Sequence, residues 1–226
     1  MEIKLVGVTK PLNQPELVSA ADLVSYCARV SNPSNQLNTG TAEGLLRYCI
    51  RHNHFSIFEM VNLVFEIETT RDIGRQILRH RSFSFQEFSQ RYAKASPDIV
   101  MRETRLQDTM NKQNSFPAQS EEVISHFERM QRNVHNVAIT AYEEAISVGM
   151  AKEQARALLP EGLTQTNMYM NGTLRSWIHY IIVRCGLETQ KEHRDIAKAI
   201  AKVLMIEFPF IEYLKVLDDD YKAEND

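Results

Sequence analysis

The amino-acid sequence predicts a single α/β domain that is mostly helical and contains a small mixed or antiparallel sheet. Two observations lead to this prediction. Apolar residues recur at helical spacing over much of the chain, and short alternating runs typical of strands lie between the helical stretches. The 226 residues can bury a sizeable core, and no internal repeat or linker divides them. We therefore place the domain at residues 1–217 and expect the acidic tail, 218–226, to fray.

The first half of the chain predicts two strands and three helices. Ser19 and Asp22 form a capping box, in which each residue bonds the other's backbone at a helix start. Thr70 occupies a similar capping position later in the chain. The predicted elements are a strand at 3–9, a helix from 19 to about 29, a helix at 41–52, a strand at 60–69, and a helix from 71 to about 81 with Ile73, Ile77 and Leu78 inward.

The second half begins with a long irregular segment at 93–119, whose length suggests a functional loop. A helix of about eight turns follows over 123–146 and ends at Gly149. We interpret its apolar stripe as core, with packing against another subunit as the alternative. The stripe comprises Val123, Phe127, Met130, Val134, Val137, Ala141 and Ala145. The remaining predicted elements are a short helix that stops at Pro160, a strand at 164–171, a helix at 173–184, and a last helix opened by a Thr189–Glu192 capping box and ending near Phe208–Pro209.

Composition excludes several classes of protein. Twenty-six Lys plus Arg against 29 Asp plus Glu give a net charge of −3, which provides no general attraction to nucleic acid or anionic membrane. The eight glycines form no phosphate-binding loop, so a bound nucleotide would need side-chain cations or helix N-termini. Cys27, Cys49 and Cys185 are widely separated, which favours a reducing compartment. With no apolar membrane span and no apolar signal core, we expect a cytoplasmic protein, or one of the host cytoplasm if it is viral.

Positive and negative charges nearly balance over the whole chain, but cations cluster between residues 71 and 91. Arg71, Arg75 and Arg79 are spaced so that they would share one face of the predicted helix, where their like charges repel. Guanidinium groups bind phosphate bidentately, so the cluster is a candidate anion site rather than a plain solvated face. The strip 79–92 mixes cations, hydroxyls and a carboxylate with aromatic rings. Such a strip can bind phosphates and a planar ring together.

This strip resembles the signature of the flavin-dependent thymidylate synthases. That signature is Arg-His-Arg, seven residues and Ser, and it stands here as Arg79-His80-Arg81 followed by Ser89. Further resemblances occur along nearly the whole chain. They are the segment 54–59, the Ala-Arg-x-x-Leu-Pro element at 155–160, the helix segment 171–184, and Gln190 with Glu192.

The resemblance implies the fold of that family and an enzyme that makes dTMP from dUMP. It implies that methylenetetrahydrofolate supplies the carbon, that reduced FAD supplies the hydride and that NADPH recharges the flavin. It also implies a homotetramer whose active sites draw on several subunits. The implied FAD-binding residues are Ser56, Glu59, Arg79, His80, Arg81, Gln86, Glu87, Asn171, Arg175 and His179. The implied dUMP-binding residues are Gln76, Glu87, Ser89, Gln90, Arg91, Arg156 and Arg184.

The same resemblance implies roles for three residues near the chemistry. Arg184 would stabilise negative charge on the uracil ring, Ser89 would bind and orient dUMP, and His54 would lie near flavin and folate. Two positions depart from the family pattern, because Gln86 stands where many relatives have Asn and Gln90 where many have Gly.

The cysteines bear on the chemistry as well. The other class of thymidylate synthase uses a cysteine nucleophile, and here Cys185 follows Arg184, a cation expected to lower the pKa of its thiol. Cys27 and Cys49 lie on apolar helix faces. We favour a structural role for all three, because activation by hydride needs no enzyme thiolate.

Two other functions compete with this interpretation. A metal enzyme would use His52 and His54 or the pair Glu192-His193, but no H-E-x-x-H or zinc-like spacing is present, and we predict no metal. A nucleic-acid-binding module would use the basic, aromatic segment 71–92. The net charge argues against that module, and so does the expected burial of its phenylalanines, Phe83, Phe85 and Phe88.

Overall fold

The computed structural model describes residues 2–218 and Tyr221, so most of the tail predicted to fray lies outside the described residues. The predicted fold class is confirmed, since helices dominate and the sheets are small. The helices are α1 (Ala20–Ala28), α2 (Ala42–Arg51), α3 (Arg71–Ile77), α4 (Glu121–Ser147), α5 (Lys152–Ala155), α6 (Leu174–Arg184) and α7 (Lys191–Glu207). The strands are β1 (Ile3–Val8), β2 (Asn62–Thr70), β3 (Ser84–Glu87), β4 (Arg105–Gln107), β5 (Ser115–Pro117) and β6 (Gln165–Thr173).

The larger sheet has four strands in the order β1-β2-β6-β3. β1 and β2 are antiparallel, with Ile3 opposite Ile67 and Val8 opposite Leu63. Every second residue of β2, including Leu63 and Ile67, is fully buried, while the residues between them are partly exposed. This alternation is why the sequence predicts a strand here. None of the helices in the described ranges is both long enough and apolar enough to span a bilayer.

One of the two predicted capping boxes is present. At α1, the Ser19 hydroxyl accepts from the backbone N–H of Asp22 at 3.1 Å, and the Asp22 carboxylate accepts from the backbone N–H of Ser19 at 2.9 Å. The box predicted for the last helix is wrong, because Gln190 occupies the N-cap and makes no side-chain cap bond. The Thr189 hydroxyl instead donates to the carbonyl of Val183, at 3.4 Å.

Helix α3 is shorter than predicted and ends at Ile77. Ile73 and Ile77 are buried as expected, but Leu78 is 37% exposed and does not point inward. Arg79 therefore lies outside the helix, and the predicted three-arginine face contains only Arg71 and Arg75. The chain turns after Leu78 and enters β3, a strand that the sequence pattern does not predict.

By their internal contacts, the described residues form two compact units. Unit 1 contains Glu68–Arg79 and Gln86–Met168, and unit 2 contains Glu2–Ile67, His80–Phe85 and the chain from Tyr169 onward. The assignment of residues 1–217 to a single domain stays a prediction.

The core of unit 2 is built around Trp177. Its ring centroid lies 4.8 Å from that of Phe65 and 4.6 Å from that of Phe83, both in edge-on geometry. The indole N–H donates to the carbonyl of Leu63 at 3.2 Å, so the buried ring is also hydrogen-bonded. Gly172 is needed here, because a Cβ at that position would lie 2.4 Å from the Phe83 ring.

In unit 1, one side of α4 packs into a small core around Tyr142 and Ala145. The Tyr142 hydroxyl accepts from the backbone N–H of Ala95 at 3.0 Å, which ties the segment 93–119 to the helix. That segment is not wholly irregular, because it contains the antiparallel hairpin of β4 and β5.

The interpretation of the α4 stripe as core is wrong for most of its length. Val134 is 53% exposed and Val137 is 73% exposed, and Val123, Phe127 and Met130 are also exposed. Only Ala145 of the stripe is buried, together with Gln131 and Tyr142 elsewhere on the helix. The stripe is thus a solvent-facing apolar surface in the isolated chain.

Candidate functional site

Unit 1 contains a cavity of about 350 Å³ whose walls carry several charges. Helix α3 contributes Arg71 and Arg75, which lie one turn apart and so face the same way. The turn that follows α5 contributes Arg156. The cavity is lined by Arg71, Arg75, Gln90, Glu153, Arg156, Ala157, Leu159 and Glu161.

Carboxylates hold two arginines at or beside this cavity. Arg75 Nε donates to the Glu161 carboxylate at 2.7 Å, and Arg75 Nη2 contacts the same group. This pairing raises the pKa of Arg75 and lowers the pKa of Glu161. Arg91 Nε lies 3.4 Å from Glu153 in a second ion pair. The multiply bonded Arg75–Glu161 pair orients the Arg75 guanidinium before any ligand binds, whereas the Arg91–Glu153 pair is a solvent-exposed contact.

Two buried donors at the cavity lack a hydrogen-bond acceptor among the described residues. The first is Nε2 of Gln90, a residue that is only 3% exposed. The second is Nη1 of Arg71, which lies 3.4 Å from a Glu87 oxygen but does not form a hydrogen bond to it. That Glu87 oxygen accepts from the Thr166 hydroxyl at 2.8 Å. Buried donors of this kind can be satisfied by water or by a ligand with oxygen acceptors, such as a phosphate.

The cavity brings together part of the predicted dUMP set. Gln90 and Arg156 line it, and Arg91 pairs with a lining carboxylate. Gln76 is half-buried on α3, and the backbone carbonyl of Ser89 accepts from the N–H groups of the turn at 92–93. Arg184 belongs to unit 2.

Sequence reasoning did not assign four of the charged lining residues to the substrate. Arg71 and Arg75 carried a signal, namely their spacing in the cation cluster. Glu153 and Glu161 carried none, because each lies more than 60 residues from the arginine that it contacts. Only folding brings such partners together.

Unit 2 contains a second cavity, of about 580 Å³, whose lining combines polar and apolar residues. The polar residues include Arg175 and Glu59, which are paired through Arg175 Nη1 at 2.9 Å. The cavity is lined by Asn53, Phe55, Glu59, Ser82, Arg175, Ser176, Ile178, His179, Ile182 and Val183. Such a wall suits a ligand that has an extended apolar ring system and polar groups.

Three of the predicted FAD residues, Glu59, Arg175 and His179, line this cavity. Ser56, Arg81 and Asn171 are exposed residues of unit 2 that do not line the cavity. Of the remaining four, His80 belongs to unit 2, and Arg79, Gln86 and Glu87 belong to unit 1.

His54 is exposed at the start of the turn Phe55–Met60 and does not line the cavity, although both of its chain neighbours do. Its ring centroid lies 6.0 Å from that of Tyr48 and 6.1 Å from that of His52.

Arg184 and His80 form a hydrogen bond in unit 2. Arg184 Nε lies 2.8 Å from His80 Nε2. Burial of the His80 ring, together with the nearby Arg184 and His179, lowers the pKa of His80 to about 4. His80 is therefore neutral at neutral pH.

The cysteines do not have the environment of a nucleophile. Cys185 is 1% exposed, and burial raises the pKa of its thiol to about 12. The expectation that Arg184 would lower this pKa is therefore wrong, because loss of water outweighs any neighbouring cation. Burial also raises the thiol pKa of Cys27 and Cys49. Within the described part of the chain, no three His, Cys, Asp or Glu side chains cluster as metal ligands would.

Comparison with known proteins identifies the family. The family model described as thymidylate synthase complementing protein matches residues 14–210. A probable flavin-dependent thymidylate synthase of Paramecium bursaria Chlorella virus 1 is 46% identical over 218 residues, which are 96% of this chain and 99% of the viral protein. The chain belongs to the flavin-dependent thymidylate synthase family. The enzyme of that name from Synechocystis sp. is 48% identical over 213 residues, 93% of this chain and 97% of its own.

A solved structure supports the same fold for this flavin-dependent thymidylate synthase family member. The UMP/dUMP methylase PolB from Streptomyces cacaoi, bound with 5-Br UMP, superposes with a TM-score of 0.80 at 22% identity. The match covers 96% of this chain and 93% of PolB. The resemblance first seen in the Arg-His-Arg motif is thus confirmed at the level of family and fold.

Family membership argues against the nucleic-acid-binding alternative. One of the earlier arguments against that alternative holds only in part. Phe83 is buried and Phe85 half-buried, but Phe88 is 39% exposed, contrary to expectation. Phe88 follows the last residue of β3, where its backbone N–H bonds to the carbonyl of Asn167 at 2.8 Å.

Proposed function

We propose that this protein is an FAD-dependent thymidylate synthase that converts dUMP to dTMP by reductive methylation. Methylenetetrahydrofolate is the carbon donor and NADPH the reductant. The observation that carries the proposal is the 46–48% identity, over nearly the full length, to proteins named flavin-dependent thymidylate synthases. The two cavities, one rich in cations and one with an apolar wall, are consistent with two different nucleotide ligands.

The arginine-rich cavity of unit 1 suits the phosphate of dUMP. Three arginines and two glutamates line it, for a net charge of 3 − 2 = +1. Arg156 and the buried amide of Gln90 offer donors there, and Arg91 stands next to a lining carboxylate. We assign Gln76, Glu87, Ser89, Gln90, Arg91 and Arg156 to dUMP binding. Ser89 orients the substrate rather than attacking it.

Arg184 is the residue assigned to the uracil ring. A fixed guanidinium stabilises negative charge that develops on the pyrimidine during methyl transfer. Its hydrogen bond to neutral His80 fixes one edge of the group. Arg184→Ala is expected to weaken dUMP binding or turnover much more than FAD binding. Equal loss of both would remove Arg184 from the substrate site.

The unit 2 cavity fits FAD. Phe55, Ile178 and Ile182 form an apolar wall for a planar ring, and Arg175 and His179 supply donors for ring or phosphate oxygens. Glu59 holds Arg175 in place through their ion pair. We assign these polar residues to the flavin together with the other members of the predicted set, Ser56, Arg79, His80, Arg81, Gln86, Glu87 and Asn171. When bound and reduced, FAD supplies the hydride. His54 is assigned to the region of the flavin and folate.

The chain's own cysteines support a route without an enzyme nucleophile. With a thiol pKa of about 12, Cys185 carries roughly one thiolate per 10⁵ molecules at neutral pH. A variant with Ser at all three cysteine positions should still form dTMP if it folds and binds FAD. Complete loss of dTMP formation in a folded, FAD-loaded variant would argue for a thiolate mechanism.

The exposed stripe of α4 supports assembly. Val134 and Val137 are more than half exposed and lie with Val123, Phe127 and Met130 along one long helix. Monomeric proteins rarely expose an apolar surface of this extent. We infer that the protein is a homotetramer whose active sites draw on several subunits, and that it works in the cytoplasm, or in the host cytoplasm if the protein is viral.

The decisive experiment is a deoxyuridylate methylation assay with FAD, NADPH and methylenetetrahydrofolate, omitting each in turn. Formation of dTMP should require all three, and the purified protein should show flavin absorbance in the visible range. A colourless protein that ignores added FAD but retards oligonucleotides would overturn the proposal and favour the nucleic-acid-binding alternative.

A further inference from the structure

The contact between Arg184 and His80 restricts the protonation state of the histidine. Every N–H of a guanidinium group is a donor, so His80 Nε2, 2.8 Å from Arg184 Nε, must act as the acceptor. His80 is then neutral and carries its proton on Nδ1. The bond uses one of the five guanidinium N–H groups and leaves the four on Nη1 and Nη2 for a ligand.

Two fully buried polar side chains form the inner wall behind His80. Tyr180, from α6, has its ring centroid 5.0 Å from that of His80, and His193, from α7, has its ring centroid 6.1 Å away. Tyr180 is 0% exposed and His193 is 1% exposed. Their polar atoms meet each other, with His193 Nε2 3.0 Å from the Tyr180 hydroxyl. The wall thus excludes water from its side of His80, while its own polar atoms, His193 Nε2 and the Tyr180 hydroxyl, are hydrogen-bonded to each other.

The groups around His80 all disfavour its charged form. Burial excludes water, and Arg184 and His179, on α6, add positive charge nearby. Burial, Arg184 and His80 likewise lower the pKa of His193 to about 3. Tyr180 is a neutral phenol, because burial raises its pKa above the ordinary value. Helix α6 therefore places the cation Arg184 and the neutral phenol of Tyr180 near His80. Helix α7 places the neutral ring of His193 there.

We propose that Tyr180 and His193 are positioning residues for Arg184, because they enclose His80 as the neutral acceptor that fixes the guanidinium. The proposal rests on the assignment of Arg184 to the uracil ring of dUMP. If His80 Nε2 gained a proton, its N–H would point at the N–H of Arg184 Nε. Two positively charged side chains would then lie side by side. The hydrogen bond would then break and Arg184 would turn away from its fixed direction.

The proposal predicts that opening the wall makes substrate use sensitive to acid. If water enters and the pKa of His80 returns toward 6.5, about one His80 in ten is neutral one pH unit lower. The kcat/KM of the variant for dUMP should then fall about tenfold at about pH 5.5 relative to about pH 8. Protonation of His80 should change the kcat/KM of the native enzyme little over this range.

The test compares Tyr180→Phe and His193→Gln with the native holoenzyme. Tyr180→Phe keeps the packing of the ring but removes the hydroxyl that bonds His193 Nε2 at 3.0 Å, so the buried nitrogen of His193 loses this hydrogen bond and the wall loosens toward water. Because this variant retains the aromatic packing, it also controls for misfolding of His193→Gln. FAD content and the melting temperature at about pH 8 should stay close to native. His126→Gln, on the exposed part of α4, is the matched control and should keep the native pH profile.

Two measurements make the outcome decisive. The first is kcat/KM for dUMP against pH, where an acid-side loss in both wall variants supports the proposal. Unchanged profiles, or an equal loss at every pH, would overturn it. The second is an NMR titration of the His80 ring without ligand, which should show its pKa higher in the wall variants. This shift does not depend on activity, so it tests the wall even if the protein makes no dTMP.

Discussion

Acid should destabilise this protein through two histidines, the half-buried His80 and the fully buried His193. The pKa of His80 is about 4 and that of His193 about 3 in the folded chain, while an unfolded histidine titrates near 6.5. Below about pH 6.5 the two histidines bind protons in the unfolded chain but stay neutral in the folded chain. The free energy of unfolding therefore falls as pH falls. This loss is absent above about pH 6.5 and levels off once pH drops below each folded pKa.

The size of the effect follows from the same values. Each histidine changes the free energy of unfolding by about 1.4 kcal/mol per pH unit over its window. Between about pH 8 and about pH 5, each ring should therefore destabilise the protein by about 2 kcal/mol, and the two together by about 4 kcal/mol. His193→Gln removes one titrating ring and, by opening the wall, also brings the pKa of His80 back toward 6.5, so the variant should lose at most about half as much over the same range.

Urea unfolding at the two pH values, at one protein concentration, measures these differences directly. His126→Gln removes an exposed histidine and should reproduce the native loss. If native protein were equally stable at both pH values, or if His193→Gln lost as much as native protein, the two rings would not be held neutral by burial. The comparison between variants cancels contributions from carboxylates that both proteins share.

Three further changes test the packing. Gly172→Ala should destabilise the protein by about 1–3 kcal/mol in urea unfolding, because its methyl group would meet the Phe83 ring; an unchanged midpoint would show that the ring can move. Tyr142→Phe should cost about 1–3 kcal/mol by the same measurement, because the buried N–H of Ala95 loses its acceptor. Val134→Asp should lower the oligomeric state in analytical ultracentrifugation without lowering helix content, and an unchanged mass would exclude this stripe from the interface.

The sequence predicted those parts of the fold that local patterns determine. The Ser19–Asp22 box marked the start of α1, and the apolar period marked α4, because both signals depend on residues a few positions apart. Where distant packing decides, prediction failed. Helix α3 ends early and β3 follows, where Phe83 becomes buried beside Trp177. No local pattern contains that contact.

The α4 stripe shows a second limit of sequence reasoning. Helical spacing of apolar residues reports that one face avoids water, but it does not tell which molecule covers that face. The same pattern fits a core and an interface between subunits. In unit 1 the core takes Ala145 from the stripe and Tyr142 from beside it, while Val137 of the stripe is 73% exposed.

For the candidate site, the cation cluster and the family resemblance together supplied the arginines, but the carboxylates that pair with them came only from the fold. Because the glycines form no phosphate-binding loop, the donors for a phosphate must be side chains or helix N-termini. Neighbouring guanidinium groups repel one another and would point apart in solution. Glu161 on Arg75 and Glu153 on Arg91 offset that repulsion, and they leave the lining with a net charge of +1. If dUMP binds as proposed, its phosphate meets an Arg75 guanidinium that Glu161 already orients, and the buried amide of Gln90 gains an acceptor.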